Sequence, residues 1–346
     1  MPHPLYQPEK LHHGGRLRAA AKHYQLPLEG WLDLSTGINP NGWPVAAVPA
    51  NIWQRLPEEE DELIEVACNY YGAPSLLPVA GSQAAIQALP QLRNSSRVCI
   101  LNPSYAEHAH AWRHANHQVS TVAPNQINDA LPHTDVLIII HPNNPTGTVF
   151  PTEQLLDWHA QLADHNGWLI VDEAFMDMTP EQSITSYTAL PGLIVLRSLG
   201  KFFGLAGARV GFVCAQSSLL NQLNHLLGPW TVNTPARWVA VQALQDVAWQ
   251  ESTQRNLLIA SNRLKTLLTR HQLAPAGGCG LFQWSVSRHA AEVYEALASQ
   301  GILVRYLDEP PSLRFGLPAH ESDWQRLDMA LTQINRKIHN LAEQAP

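Results

Sequence analysis

The chain has 346 residues, with 22 Lys and Arg against 29 Asp and Glu, for a formal net charge of −7 with His neutral. Hydrophobic residues make up 45% and charged residues 15%, which excludes a disordered or solvating chain and leaves ample material for a core. The acidic balance argues against a general nucleic-acid binder, and the longest clean apolar run, Val136 to Ile140, is far short of the ~20 residues of a membrane span. This length fits two domains, or one large α/β domain with an appendage.

In chain order, Met1 to Pro8 shows neither a basic start nor an apolar stretch, so no export signal is expected. A helix is expected from Ser82 to Leu92, directly after Gly81. Short β-branched runs then predict strands at Val98–Leu101, Val136–Ile140, Trp168–Val171, Ile194–Leu196 and Val210–Val213. Leu155, Trp158 and Leu162 recur at helical spacing after Pro151-Thr152. Continuous apolar strands alternating with helices predict a mainly parallel sheet covered on both faces, hence an α/β fold. From about Ser217 the texture changes to long helices. Ser322-x-x-Gln325 has capping-box spacing and opens a last helix with Trp324, Leu327, Leu331, Ile334, Ile338 and Leu341 on one face. The expected organisation is a large sheet domain over 41–232 and a smaller domain over 233–346, with residues 1–40 as an arm packed partly against the latter. Cys68, Cys99, Cys214 and Cys279 lie far apart without CxxC spacing, which reads as reduced thiols in a cytoplasmic protein.

In open α/β sheets ligands collect beyond the carboxyl ends of the strands. After Ile140 comes His141-Pro142-Asn143-Asn144-Pro145-Thr146-Gly147, and after Val171 comes Asp172-Glu173-Ala174-Phe175. After Leu196 comes Arg197-Ser198-Leu199-Gly200-Lys201, with Arg209 eight residues on. This set answers the needs of pyridoxal 5'-phosphate. Lys201 offers an amine for its aldehyde, and Asp172 a carboxylate to keep the pyridine nitrogen protonated. Gly81, Ser82 and Gln83 offer helix-terminal N–H groups for the phosphate, joined by the Ser198 hydroxyl and the Arg209 guanidinium. Asn144 can donate to the phenolate oxygen, and Tyr105 can lie flat against the ring. No GxGxxG follows any strand, and Val195 stands where a phosphate-binding loop ending at Lys201 needs its first Gly. His110, His114 and His117 fall at i, i+4 and i+7. No acidic ligand accompanies them, so a packed or solvated face is expected and no metal site.

Asn-Asn-Pro-Thr-Gly, Asp-Glu-Ala-Phe and Ser-Leu-Gly-Lys…Gly-Ala-Arg-Val-Gly-Phe, in this order and spacing, resemble the fold-type I pyridoxal-phosphate enzymes of the class I/II aminotransferase family. His12-His13-Gly14-Gly15-Arg16 and Asp33-Leu34-Ser35-Thr36-Gly37-Ile38-Asn39-Pro40 resemble its threonine-phosphate decarboxylase branch, which serves cobalamin biosynthesis. The resemblance implies a homodimeric carboxy-lyase that takes L-threonine O-3-phosphate to (R)-1-amino-2-propanol O-2-phosphate. The alternative is an aminotransferase, such as one acting on histidinol phosphate. Phe175 stands where many transaminases carry a Tyr that donates to the phenolate, which leaves Asn144 with that task. Arg314 in Ser312-Leu313-Arg314-Phe315-Gly316 matches the family's carboxylate-binding Arg. His13, Gly14, Asn39, Asn144 and Arg305 complete the implied substrate set, with His13 and Arg305 as candidates for the substrate phosphate. Two departures stand out: Gly37 replaces an Asn of some decarboxylases, and the segment between Arg305 and Arg314 is short.

Overall fold

The computed structural model describes residues 13–343, with side chains described through residue 336. The expectation for Met1 to Pro8, His12, and the side chains of Ile338 and Leu341 lie outside the described residues. The first elements among the described residues are a helix at Leu17–Tyr24 and a short strand, β1 (Leu32–Asp33). The central strands are β2 (Leu76–Val79), β3 (Arg97–Leu101), β4 (Gln118–Val122), β5 (Val136–Ile140), β6 (Trp168–Asp172), β7 (Leu193–Ser198) and β8 (Gly211–Cys214). They form one sheet in the order β2-β8-β7-β6-β5-β3-β4. All neighbouring pairs are parallel except the two made by β8, which runs against both β2 and β7.

The sheet is buried on both faces, as its unbroken apolar strands predict. Successive residues of β5 alternate between two cores: Leu137 and Ile139 belong to one, Val136 and Ile138 to the other. The five expected strands are present, each within two residues of its expected ends. Two were missed. β2 contains Pro78, which removes a ladder donor and is tolerated here because β2 is an edge strand. β4, the opposite edge, is polar and largely exposed at Gln118, Ser120 and Thr121, so it lacks the apolar signal of a strand.

The expected Ser82–Leu92 helix is α-helical over Ser82–Ala88 and tightens to a 3-10 turn over Leu89–Leu92, where Pro90 cannot donate. The last helix, Glu321–Glu343, starts one residue before Ser322. Its first turn is closed by the His320 N–H donating to the Asp323 carboxylate at 3.0 Å, not by the Ser322/Gln325 pair. The helix after Tyr105 ends at His114, so His117 leaves the expected histidine face. His117 is buried, accepting from the Ser96 N–H at 3.1 Å and bonded to the Pro90 carbonyl at 2.9 Å. His110 and His114 stack at 6.2 Å.

Toward the C-terminus lie β9 (Gly277–Cys279), β10 (Phe282–Val286), β11 (Ile302–Leu303), β12 (Arg305–Leu307) and β13 (Ser312–Gly316). Four of these form an antiparallel sheet, β12-β13-β10-β9. β11 pairs in parallel with β1, Leu32 opposite Ile302, so the early chain joins the late chain. β12 and β13 form a tight hairpin that sets Arg305 opposite Arg314, which accounts for the short segment between them. Among the described residues no helix is long and apolar enough to cross a membrane.

Candidate active site

The parallel strands β5, β6 and β7 deliver His141, Asp172 and Ser198 to one rim, and the loops beyond them add Asn144, Ala174, Phe175 and Lys201. A cavity of about 150 Å³ there is lined by Ser82, Gln83, Tyr105, Asn144, Asp172, Ala174, Phe175, Ser198, Lys201 and Arg209 among others. Eight of the nine residues expected at the coenzyme site therefore meet at one place. Gly81 adjoins them.

Asp172 is 3% exposed, and each oxygen has a partner. Oδ1 accepts the Ala174 N–H at 3.1 Å, and Oδ2 lies 2.9 Å from Nε2 of His108. His108 is itself buried and was not anticipated from sequence. It follows Tyr105 by three residues, so the turn that presents Tyr105 to the cavity also brings His108 behind it. An imidazole N–H donated to the carboxylate fixes its orientation in a buried place. Ala174, also unanticipated, lines the cavity together with Tyr105, so a flat ring can lie between an aromatic face and a methyl group. Burial pushes the Tyr105 hydroxyl up to about 12, which keeps it a neutral donor.

The anion seat depends on missing side-chain atoms. Gly81 has φ +73°, and a Cβ there would come within 2.6 Å of Nη2 of Arg209. Only glycine lets the guanidinium rest against the start of the Ser82 helix. Arg209 itself sits in the left-handed region at φ 55°, a conformation uncommon for its type. Its Nη1 donates to the Ala206 carbonyl at 3.3 Å. Gly211 is equally constrained, since a Cβ would lie 2.5 Å from the Ser82 nitrogen. These crowded positions bring a guanidinium, a hydroxyl and backbone N–H groups together, the donor set for a phosphate.

Lys201 Nζ donates to the Thr36 carbonyl at 3.4 Å and lies 5.3 Å from the centre of the Phe175 ring. Burial, with Arg314 nearby, lowers its ammonium from the ordinary lysine value to about 8. Arg314 is 5% exposed. It donates from Nη1 to Asn144 Oδ1 at 2.5 Å and from Nη2 to the Ser35 carbonyl at 2.6 Å, while its Nε is buried without a hydrogen-bond partner. Burial and the facing Arg305 bring its guanidinium down to about 10. Two arginines opposite one another on a hairpin repel, and an anion between them would relieve that repulsion.

The Asp33–Pro40 motif is a clamp over this site. Ser35 Oγ donates to Asp33 at 2.6 Å and accepts the Gly15 N–H at 2.7 Å. A Cβ on Gly14 would stand 2.3 Å from the Ser35 carbonyl oxygen, so the arm closes on this segment only through glycine. Gly37, at φ +62°, packs against Phe175 and Phe282, where a Cβ would meet them at 3.4 and 3.3 Å. An Asn there would press on that aromatic pair, so the departure at Gly37 has a packing cause. Asn39 donates to the Phe202 carbonyl at 2.8 Å and accepts the Asn41 N–H at 2.9 Å, so its amide holds the loop that carries Lys201. His13, Gly14 and Arg305 line a second, wider cavity of about 1140 Å³ beside the first.

Beneath the site, Arg197 donates to Glu173 at 2.6 Å and to Asp177 at 2.7 Å, fully buried. Glu173 also accepts from Ile184 N–H and Thr185 Oγ1, which pins the loop after Asp172.

Residues 53–334 match the family described as Aminotransferase class I and II. The chain is 54% identical to the threonine-phosphate decarboxylase of Pseudomonas aeruginosa, over 95% of this chain and 99% of that one. Among solved structures, the L-threonine-O-3-phosphate decarboxylase of Porphyromonas gingivalis superposes with a TM-score of 0.74 at 21% identity, covering 87% of this chain and 98% of that one. The histidinol-phosphate aminotransferase of Sinorhizobium meliloti, solved in complex with pyridoxal-5'-phosphate, superposes with a TM-score of 0.80 at 17% identity, covering 97% of each chain. On sequence and fold together, the chain belongs to the class I and II aminotransferase family.

Proposed function

We propose that this protein is a pyridoxal-phosphate-dependent decarboxylase of L-threonine O-3-phosphate. Its 54% identity to a protein of that name along nearly the whole chain carries the reading, and the site geometry agrees with it. Lys201 would hold the coenzyme covalently, Asp172 would face its ring nitrogen, and Tyr105 with Ala174 would enclose the ring. Gly81, Ser82, Gln83, Ser198 and Arg209 would seat its phosphate, and Asn144 would meet its phenolate oxygen. The orphaned Arg314 Nε and the crowded Gly81–Arg209 contact fit these tasks. When bound, pyridoxal phosphate supplies an electron sink for the pair released when a bond at the substrate Cα breaks.

The protein's own contribution is to choose that bond. The bond held perpendicular to the ring overlaps its π-system and breaks, so a decarboxylase must hold the carboxylate there. Arg314 grips the carboxylate, with Asn144 and Ser35 fixing the guanidinium. Arg305 and His13, across the wider cavity, hold the substrate phosphate and so set the orientation at a distance. Asn39 acts on the Lys201 loop, outside the set that touches substrate. Among the described residues, we read 41–232 as the large domain and the remainder, with the arm before residue 41, as the small one. The protein is read as a cytoplasmic homodimer: the four cysteines are free, and Trp53, Leu56 and Trp230 are exposed apolar surface available to a second copy.

Threonine lacks the phosphate dianion. It is expected to bind weakly and also to react slowly once bound, because remote contacts fix the reacting geometry. Each lost charge-assisted contact costs about ten- to a hundredfold. The test measures CO₂ release from threonine and from threonine phosphate, by the wild type and by Arg305→Ala. Equal efficiency of the wild type on both substrates would refute phosphate positioning.

A further inference from the structure

Glu107 stands between the coenzyme seat and the substrate cavity. It lies in the first turn of the helix Ala106–His114, two residues after Tyr105. Oε1 meets Nε2 of His13 at 2.6 Å, and Oε2 accepts from Nε2 of Gln83 at 2.7 Å. Gln83 in turn accepts from the Tyr105 hydroxyl at 3.3 Å. One carboxylate thus joins the N-terminal arm, the first turn of the Ser82 helix and the ring-stacking tyrosine.

The geometry suits a carboxylate and little else. Two oxygens face two donors from different directions, and the side chain is 13% exposed, while that of His13 is 41% exposed at the mouth of the wider cavity. The exposed imidazole has many accessible rotamers, and a short charge-assisted bond selects one. The other side of the arm is fixed through Gly15 on Ser35, whose carbonyl accepts from Arg314. His13 is therefore held between the elements that carry the coenzyme seat and those that carry the carboxylate anchor.

We propose that Glu107 is a positioning residue for substrate specificity: it fixes His13 where a phosphorylated substrate places its phosphate, and ties that position to Gln83 at the coenzyme seat. This rests on the decarboxylase reading, and it adds a residue that acts through others. Without Glu107, His13 swings freely and the phosphate is poorly held, while the coenzyme keeps Lys201, Asp172 and Arg209.

The experiment is a double-mutant cycle on the holoenzyme with Glu107→Ala, His13→Ala and the double variant, each assayed on threonine phosphate and on threonine. Each single change is expected to raise KM for threonine phosphate about tenfold. The double variant is expected to be no worse than either single one, because both remove the same contact. Visible coenzyme absorbance should persist in Glu107→Ala, and its loss of activity on threonine should be several-fold smaller than its loss on threonine phosphate. Glu107→Gln, which keeps an acceptor for Gln83, should recover part of the loss. Independent effects that multiply in the double variant would overturn the proposal, as would coenzyme loss from Glu107→Ala at an unchanged KM. Should the wild type fail to decarboxylate threonine phosphate, the function reading falls and trypsin decides this one. Faster cleavage after Arg16 or Arg18 in both single variants supports the tether, and unchanged cleavage refutes it.

Discussion

Lys201→Ala is expected to abolish turnover and the visible absorbance of lysine-held coenzyme together. Among the described residues no other lysine lines the cavity, and Nζ sits between the Thr36 carbonyl and the Phe175 ring. The loss combines the covalent hold with proton handling at the substrate Cα, which alone is worth on the order of 10²–10⁴-fold. Burial and Arg314 already bring the Lys201 amine down to about 8. The neutral, nucleophilic form therefore prevails above that pH, so coenzyme capture by coenzyme-free protein should accelerate as pH rises through about 8. Spectral titration of the wild type and the variant reads both effects. A variant that retains lysine-linked yellow coenzyme would remove Lys201 from its role.

Asp172→Asn is expected to retain coenzyme through the phosphate seat yet lose about 10²–10³-fold in turnover. A neutral amide cannot hold a pyridinium, and leaving one charge of a buried pair uncompensated costs ~3–5 kcal/mol. The His108 contact sharpens the expectation. His108 meets Asp172 at 2.9 Å with both groups buried, so the substitution also alters a contact that holds the carboxylate in place. Absorbance and turnover measured on the same preparation separate binding from chemistry. A rate near that of the wild type would make Asp172 a structural residue.

Much of the site was legible because strand ends carry it. The runs ending at Ile140, Val171 and Leu196 are apolar throughout, so their ends, and the polar residues after them, could be read directly. The edge strands were not legible: β2 carries Pro78 and β4 is polar, and neither has the pattern of a buried strand. His108 and Glu107 escaped notice for another reason. Their partners, Asp172 for the one and His13 and Gln83 for the other, are 64, 94 and 24 residues away in sequence. Only the stacking of helix on sheet brings them together. Gly14 and Gly81 could be seen as motif members, but the contacts that demand glycine, with the Ser35 carbonyl and the Arg209 guanidinium, exist only in the fold.

On the proposed function, what separates this protein from the aminotransferases of its family is the bond broken at the substrate Cα. The arrangement of Arg314, Asn144, Arg305 and His13 is read here as holding the carboxylate, not the hydrogen, perpendicular to the ring. The most direct test supplies carboxyl-labelled L-threonine O-3-phosphate to purified holoenzyme with no oxo-acid present. Labelled CO₂ should appear over many turnovers, one for each aminopropanol phosphate formed. Turnover that requires an oxo-acid and leaves the label in the product would contradict the account and make this protein an aminotransferase.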